Sequence, residues 1–162
     1  MHDIVIYRDK RNLGYPETAK LVRRAAKAAL KAQGVDEDCI INIMLTDDAG
    51  IHEINVEQRG VDAPTDVLSF PMNELTEGEF DPEACEEDFE SGKLLLGDMV
   101  LNLPRCAQQA AEFGHSYDRE ISYLTVHSVL HLLGYDHLDE GVRKRAMRAR
   151  EDAIMEILGV AL

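Results

Sequence analysis

Residues 127–137 read His-Ser-Val-Leu-His-Leu-Leu-Gly-Tyr-Asp-His. Immediately upstream stand Ile121, Leu124 and Val126, and Val129, Leu130, Leu132 and Leu133 are interleaved with the histidines. A helix that is apolar nearly all round belongs in the middle of a fold, so this segment is the expected central element. On it, His127 and His131 stand one turn apart on one face, because residues i and i+4 stack along a 3.6-residue helix. Gly134 offers the left-handed conformation that a helix exit commonly needs, and His137 follows three residues later. Buried imidazoles require partners, and three brought together in this way are satisfied by one shared cation. Three nitrogen ligands with a fourth position open are the pattern of catalytic zinc, here held by His127, His131 and His137.

Working outward from the histidine helix, strands and helices alternate. Residues 3–7 are rich in Ile and Val and read as a first strand; residues 39–45, Cys-Ile-Ile-Asn-Ile-Met-Leu, read as a buried second. Between them Pro16 opens a helix that Gly34 closes, with Val22, Ala25, Ala26, Ala29 and Leu30 at helical spacing. Thr46-Asp47-Asp48 caps a helix to about residue 58, residues 65–70 form a third strand stopped by Pro71, and residues 94–101 form a fourth. Helices follow over about 103–113, from about Ser116 through the histidines, and from Asp139 to about 158. The expected fold is α+β: one domain over residues 1–162, with a small mixed twisted sheet of about four strands, about five helices and a zincin-like metal-site helix.

The 162 residues suffice to bury a core without disulfides. Cys39, Cys85 and Cys106 are odd in number and never paired as Cys-x-x-Cys, which reads as reduced packing residues. No stretch approaches the length of a membrane span and the amino terminus has no basic flank before its apolar run, so a cytoplasmic protein without a membrane partner is expected. The formal net charge of −14 argues at first against a polyanionic partner. That average conceals its distribution. Residues 73–90 hold nine acidic side chains and no basic one, whereas eight of the 17 basic residues fall within 8–31 and five more are Arg143, Lys144, Arg145, Arg148 and Arg150. Nine like charges resist compaction, and the acidic stretch, about 73–93, is expected as an extended or mobile loop.

A zinc ion lowers the pKa of a bound water and polarises the oxygen under attack, which makes hydrolysis the natural reaction class. The ligand spacing equals that of His-Glu-x-x-His-x-x-Gly-x-x-His in metzincin proteases, but Ser128 stands where the glutamate base would be. Serine cannot hold a proton as glutamate does, so a peptidase mechanism loses its base. Together with the histidine block, residues 59–71, Arg-Gly-Val-Asp-Ala-Pro-Thr-Asp-Val-Leu-Ser-Phe-Pro, and residues 96–100, Leu-Gly-Asp-Met-Val, complete a set of motifs in order. In these motifs the chain resembles the YbeY family of bacterial endoribonucleases and ribosomal-RNA maturation factors. The resemblance implies a zinc-dependent endoribonuclease for single-stranded RNA, involved in small-subunit rRNA 3′ end maturation and ribosome quality control. It also implies that His127, His131 and His137 are the ligands and that Arg59 is the motif arginine.

The other candidates carry two readings each. Arg59 is the type of donor that stabilises the charge of a phosphodiester in transition, or a surface arginine. Asp66 and Asp136 orient ligand histidines or cap turns. His115 is a general acid or, the reading favoured here, a cap of the histidine helix. Ser128 is a packing residue rather than a nucleophile. Lys20, Arg23, Arg24, Lys27 and Lys31 form a basic stripe that is an RNA track or, more commonly for such helices, a solvated face. The expected mechanism has a zinc-bound water attacking RNA beside Arg59, with no protein base identified, in a pocket next to the third strand. Single-stranded and ribosomal RNA, and ribosome or small-subunit assembly proteins, are the expected partners. A zincin-like metallopeptidase and a non-catalytic ribosome-assembly factor with a structural zinc are the rival readings.

Overall fold

The sheet is organised around its two most apolar strands. In a computed structural model, which describes residues 1–136 and 141–160, strand β2 (Cys39–Thr46) lies between β1 (Asp3–Arg8) and β5 (Leu94–Asn102) and runs parallel to both. Strand β3 (Val67–Pro71) closes the other side of β5 in antiparallel pairing, giving the order β1-β2-β5-β3. A two-residue strand, β4 (Glu86–Glu87), pairs with Leu94 and Leu95, so the mixed sheet has one short strand more than the four expected.

Side-chain alternation assigns the two faces of this sheet. Ile41, Ile43 and Leu45 of β2 and Met99 and Leu101 of β5 point into the main core. There they meet four helices: α1 (Thr18–Ala32), α3 (Leu103–Phe113), α4 (Tyr117–Leu132) and α5 (Val142–Leu158). The out-of-phase residues Met44, Leu68 and Val100 pack instead with Ile51 and Ile54 of α2 (Asp48–Arg59), a smaller cluster on the opposite face. Asp47 caps α2 by accepting from the Gly50 amide at 3.0 Å. Helix α4 contributes Ile121, Leu124, Val126, Val129, Leu130 and Leu132 to the core, in keeping with its all-round apolarity, and packs against α1, α3, α5 and β3.

Gly97 lets β3 approach β5 where the β2–β5 register slips by one residue. Its φ is +138°, and a Cβ there would lie 2.3 Å from the Phe70 carbonyl oxygen. Only glycine meets both conditions.

The acidic segment departs from expectation, for it is folded onto the body. The chain leaves the β5 edge after Met72, whose amide donates to the Leu96 carbonyl at 3.0 Å, and rejoins it at β4. Asn73 clamps the base of this excursion: its Nδ2 donates to the Leu95 carbonyl (2.8 Å) and its Oδ1 accepts from the Glu86 amide (2.9 Å). Leu75, Phe80 and Cys85 pack against the main core, and a single helical turn, Pro82–Ala84, is capped by Asp81. Like charges on the outside are tolerated because these apolar residues and the backbone pairing anchor the segment from within.

Candidate functional site

The last two turns of α4 place His127 and His131 side by side, rings 4.6 Å apart between centroids and nearly perpendicular. Each ring is held at Nδ1. His131 Nδ1 lies 2.8 Å from the Tyr135 carbonyl oxygen, and His127 Nδ1 is bonded to a carboxylate oxygen of Glu151. A carbonyl only accepts, so His131 Nδ1 carries the proton and its Nε2 presents a lone pair, and a carboxylate at His127 Nδ1 favours the same tautomer there. Those two Nε2 atoms face each other at 3.1 Å. Two imidazole nitrogens turned toward each other in this way are placed to share one metal ion. The spacing fits neighbouring nitrogens on one tetrahedral zinc, which stand about 3.3 Å apart at bond lengths of about 2.0 Å. His137, the third expected ligand, lies outside the described residues.

Glu151 escaped the sequence reading. It sits on α5, 24 residues from His127, and no local motif joins them. Its signal was an acidic residue on an apolar stripe: Met147, Glu151, Ile154, Met155 and Leu158 are the buried positions of α5. Both carboxylate oxygens are occupied, one by His127 and the other by the Tyr123 hydroxyl at 2.9 Å. Burial, with Glu151 adding to it, pushes the Tyr123 phenol well above its usual range, so the hydroxyl keeps its proton and donates.

Gly134 turns the chain out of α4 with φ +99°, and the turn delivers the Tyr135 carbonyl to His131. It also admits the acidic segment, since a Cβ there would stand 2.3 Å from the Leu75 carbonyl oxygen.

The histidines open into a cleft of about 680 Å³. One wall is β3, through Val67, Leu68, Ser69 and Pro71; Asn73, Glu74 and Leu75 form another, and Tyr135 and Asp136 a third. Arg59, the last residue of α2, lines the same cleft and is exposed. Its Nη1 donates to Asn55 Oδ1 at 3.2 Å, and the buried Asn55 is fixed in turn by donating to the Ala63 carbonyl at 2.8 Å. The sequence thus brought five of its candidates, Arg59, Asp66, His127, His131 and Asp136, to one cavity beside the third strand. It missed Asn55, which aims the arginine.

The contacts of the remaining candidates differ. Asp66 lines the cleft and accepts from the Val67 amide, Thr65 Oγ1 and Gln109 Nε2. Asp136 lines the cleft. The cap of α4 is Ser116, which accepts from the Arg119 amide, so the reading of His115 as the cap is corrected. His115 instead faces buried Glu120 at 3.0 Å and does not line the cleft. Ser128 is sealed, its hydroxyl 2.5 Å from that of Ser69, in keeping with a packing role. The α1 stripe is exposed but outside the cleft, and Arg23 and Arg24 bond to the Ile4 and Leu158 carbonyls.

The same arrangement of helices over a mixed sheet occurs in TM1509 from Thermotoga maritima. Its solution structure matches with a TM-score of 0.59 at 24% identity, covering 94% of this chain and 87% of that one, a likeness of fold. Sequence comparison is more specific. Proteins named Endoribonuclease YbeY from Desulforamulus reducens and Pelotomaculum thermopropionicum are 48% and 50% identical over 87% and 83% of the chain, covering 86% and 82% of their own lengths. That of Clostridium beijerinckii is 42% identical over 96% of the chain and 98% of its own. The family model described as Endoribonuclease YbeY matches residues 4–159, and the chain belongs to this family.

Proposed function

We propose that this protein is a zinc-dependent endoribonuclease that cuts single-stranded RNA, with His127, His131 and His137 as the ligands on a zincin-like helix. The observation that carries the metal is the pair of Nε2 acceptors facing each other at 3.1 Å. Arg59 in the same cleft supports an anionic substrate, and membership of a family named for endoribonuclease activity supports RNA as that substrate. Among the described residues no helix is long and apolar enough to cross a membrane.

Bound zinc supplies Lewis acidity and a water of lowered pKa. The protein supplies orientation and charge. Glu151 holds the His127 ring and the Tyr135 carbonyl holds the His131 ring, so neither Nε2 must reorganise to bind. The Arg59 guanidinium, braced by Asn55, neutralises charge that develops on the phosphodiester oxygens, and is worth most where the cleft walls exclude water. Ser128, buried against Ser69, leaves the peptidase base position empty of any carboxylate. We assign the cellular role, maturation of the small-subunit rRNA 3′ end and ribosome quality control in the cytoplasm with ribosomal partners, from the family resemblance.

The test is metal analysis of purified protein together with cleavage of a single-stranded RNA before and after chelation. Expected are about one zinc per chain, cleavage abolished by chelation and restored by zinc, and loss of both zinc and cleavage in His131→Ala. Zinc-loaded protein that binds RNA without cutting it would establish the assembly-factor reading instead, and hydrolysis of casein but not RNA the peptidase.

A further inference from the structure

The five basic residues of α5 are not equivalent. Arg150 fastens α5 to α1, donating to Gln33 Oε1 at 2.8 Å and to the Ala32 carbonyl at 3.2 Å. Arg143 lies 3.7 Å from Glu77 and so ties α5 to the acidic segment. Lys144, Arg145 and Arg148 turn elsewhere, to a second cavity of about 440 Å³ on the other side of His127. The His127 ring lines both this cavity and the cleft, so the two share one wall.

The chemistry of this cavity is that of a polyanion site with an apolar floor. Three cations rim it, while the floor is the buried Met147 side chain and the Tyr123 ring. Arg148 lies over that ring, 5.7 Å from its centroid. Glu151 also borders the cavity, but its two oxygens are engaged by Tyr123 and His127. Asp152 stands 3.7 Å from Arg148, with both side chains more than two-thirds exposed, so the pair is weak and readily exchanged for another anion. The volume lies within the range of about 300–1,000 Å³ typical of sites for small organic ligands.

We propose that this cavity is a second RNA subsite, which holds the nucleotide flanking the scissile phosphodiester. Its phosphate lies against Lys144, Arg145 and Arg148, and its ribose or base against Met147 and Tyr123. The proposal rests on the reading of the cleft as an RNA site, because a strand that crosses at Arg59 and passes His127 runs into these cations. It also gives the basic residues near the carboxyl end a task of their own, apart from the α1 stripe, which lines neither cavity.

The experiment compares Lys144→Gln/Arg145→Gln with Lys20→Gln/Lys27→Gln, which makes the same charge change on α1. Binding of a fluorescein-labelled single-stranded RNA dodecamer is followed by anisotropy across a salt series, and steady-state cleavage and zinc content are measured in parallel. In the α5 variant, affinity falls about tenfold and the slope of log K against log salt becomes shallower by about 1.4, for two contacts at about 0.7 each. KM rises by a similar factor while kcat and zinc content hold, and the α1 variant stays within about twofold of wild type throughout. Wild-type affinity and KM in the α5 variant, or an equal loss in the α1 variant, would overturn the subsite and leave the cleft intact. Wild-type protein that neither binds nor cuts RNA would overturn both.

Discussion

Glu151 shows how much a single buried side chain can govern. Its carboxylate fixes which nitrogen of His127 carries the proton and hence which one faces a cation. Replacing Glu151 by Gln keeps the volume and an acceptor but removes the charge. Zinc affinity, measured by competition with a chromophoric chelator, should fall about 10- to 100-fold with the fold retained. Unchanged affinity would remove Glu151 from the site. The cysteines report on packing in the same way. Burial pushes the Cys39 thiol up to about 12 and raises Cys106 and Cys85 as well. Thiolates form only as pH rises toward those values, so at pH 8 all three are protonated. Exposure then sets their order: Cys85, partly accessible, should be alkylated by iodoacetamide first, and Cys39 and Cys106 only on unfolding, as read by peptide mass spectrometry.

At the scale of elements, the helices were legible because each carried its own boundary chemistry. Asp47 caps α2 as its position indicated, Ser116 takes the cap of α4 in place of His115, and Phe113 ends α3 before the left-handed Gly114. Strand β5 was legible to within one residue, but the reason for the glycine inside it was not. Gly97 reads as a glycine inside a strand, yet its reason is the Phe70 carbonyl from another strand. Gly97→Ala should lower the urea midpoint substantially, since backbone strain of about 1–3 kcal/mol adds to a collision with fixed backbone. Gly78→Ala, also at positive φ but with open space around it, should cost only the strain. Equal losses in the two variants would show that β3 and β5 can separate there without penalty. Strand β4 left no sequence signal, because two glutamates pair through their backbone alone.

Across the whole molecule, the acidic segment takes on a role that composition concealed. Held by Asn73 and anchored by Leu75, it supplies a wall of the cleft and sets the exposed Glu74 at its mouth. A carboxylate there repels an incoming phosphate, so Glu74→Gln should tighten RNA binding about twofold at low salt, with the difference vanishing as salt is raised. A salt-independent effect would mean that Glu74 acts by shape rather than charge.

Local chemistry is written in local sequence, and the α+β class, the histidine pair on a central helix and the placing of Arg59 beside the third strand were all readable from it. Periodicity, caps and i to i+4 spacing depend only on neighbours along the chain. The partners that make the site work come from far away: Glu151 from α5, Asn73 and Leu75 from the acidic segment, and the second cavity between α4 and α5. Their contacts join residues with no shared period, and only the packing of helices over the sheet brought a carboxylate on one apolar stripe to an imidazole on another.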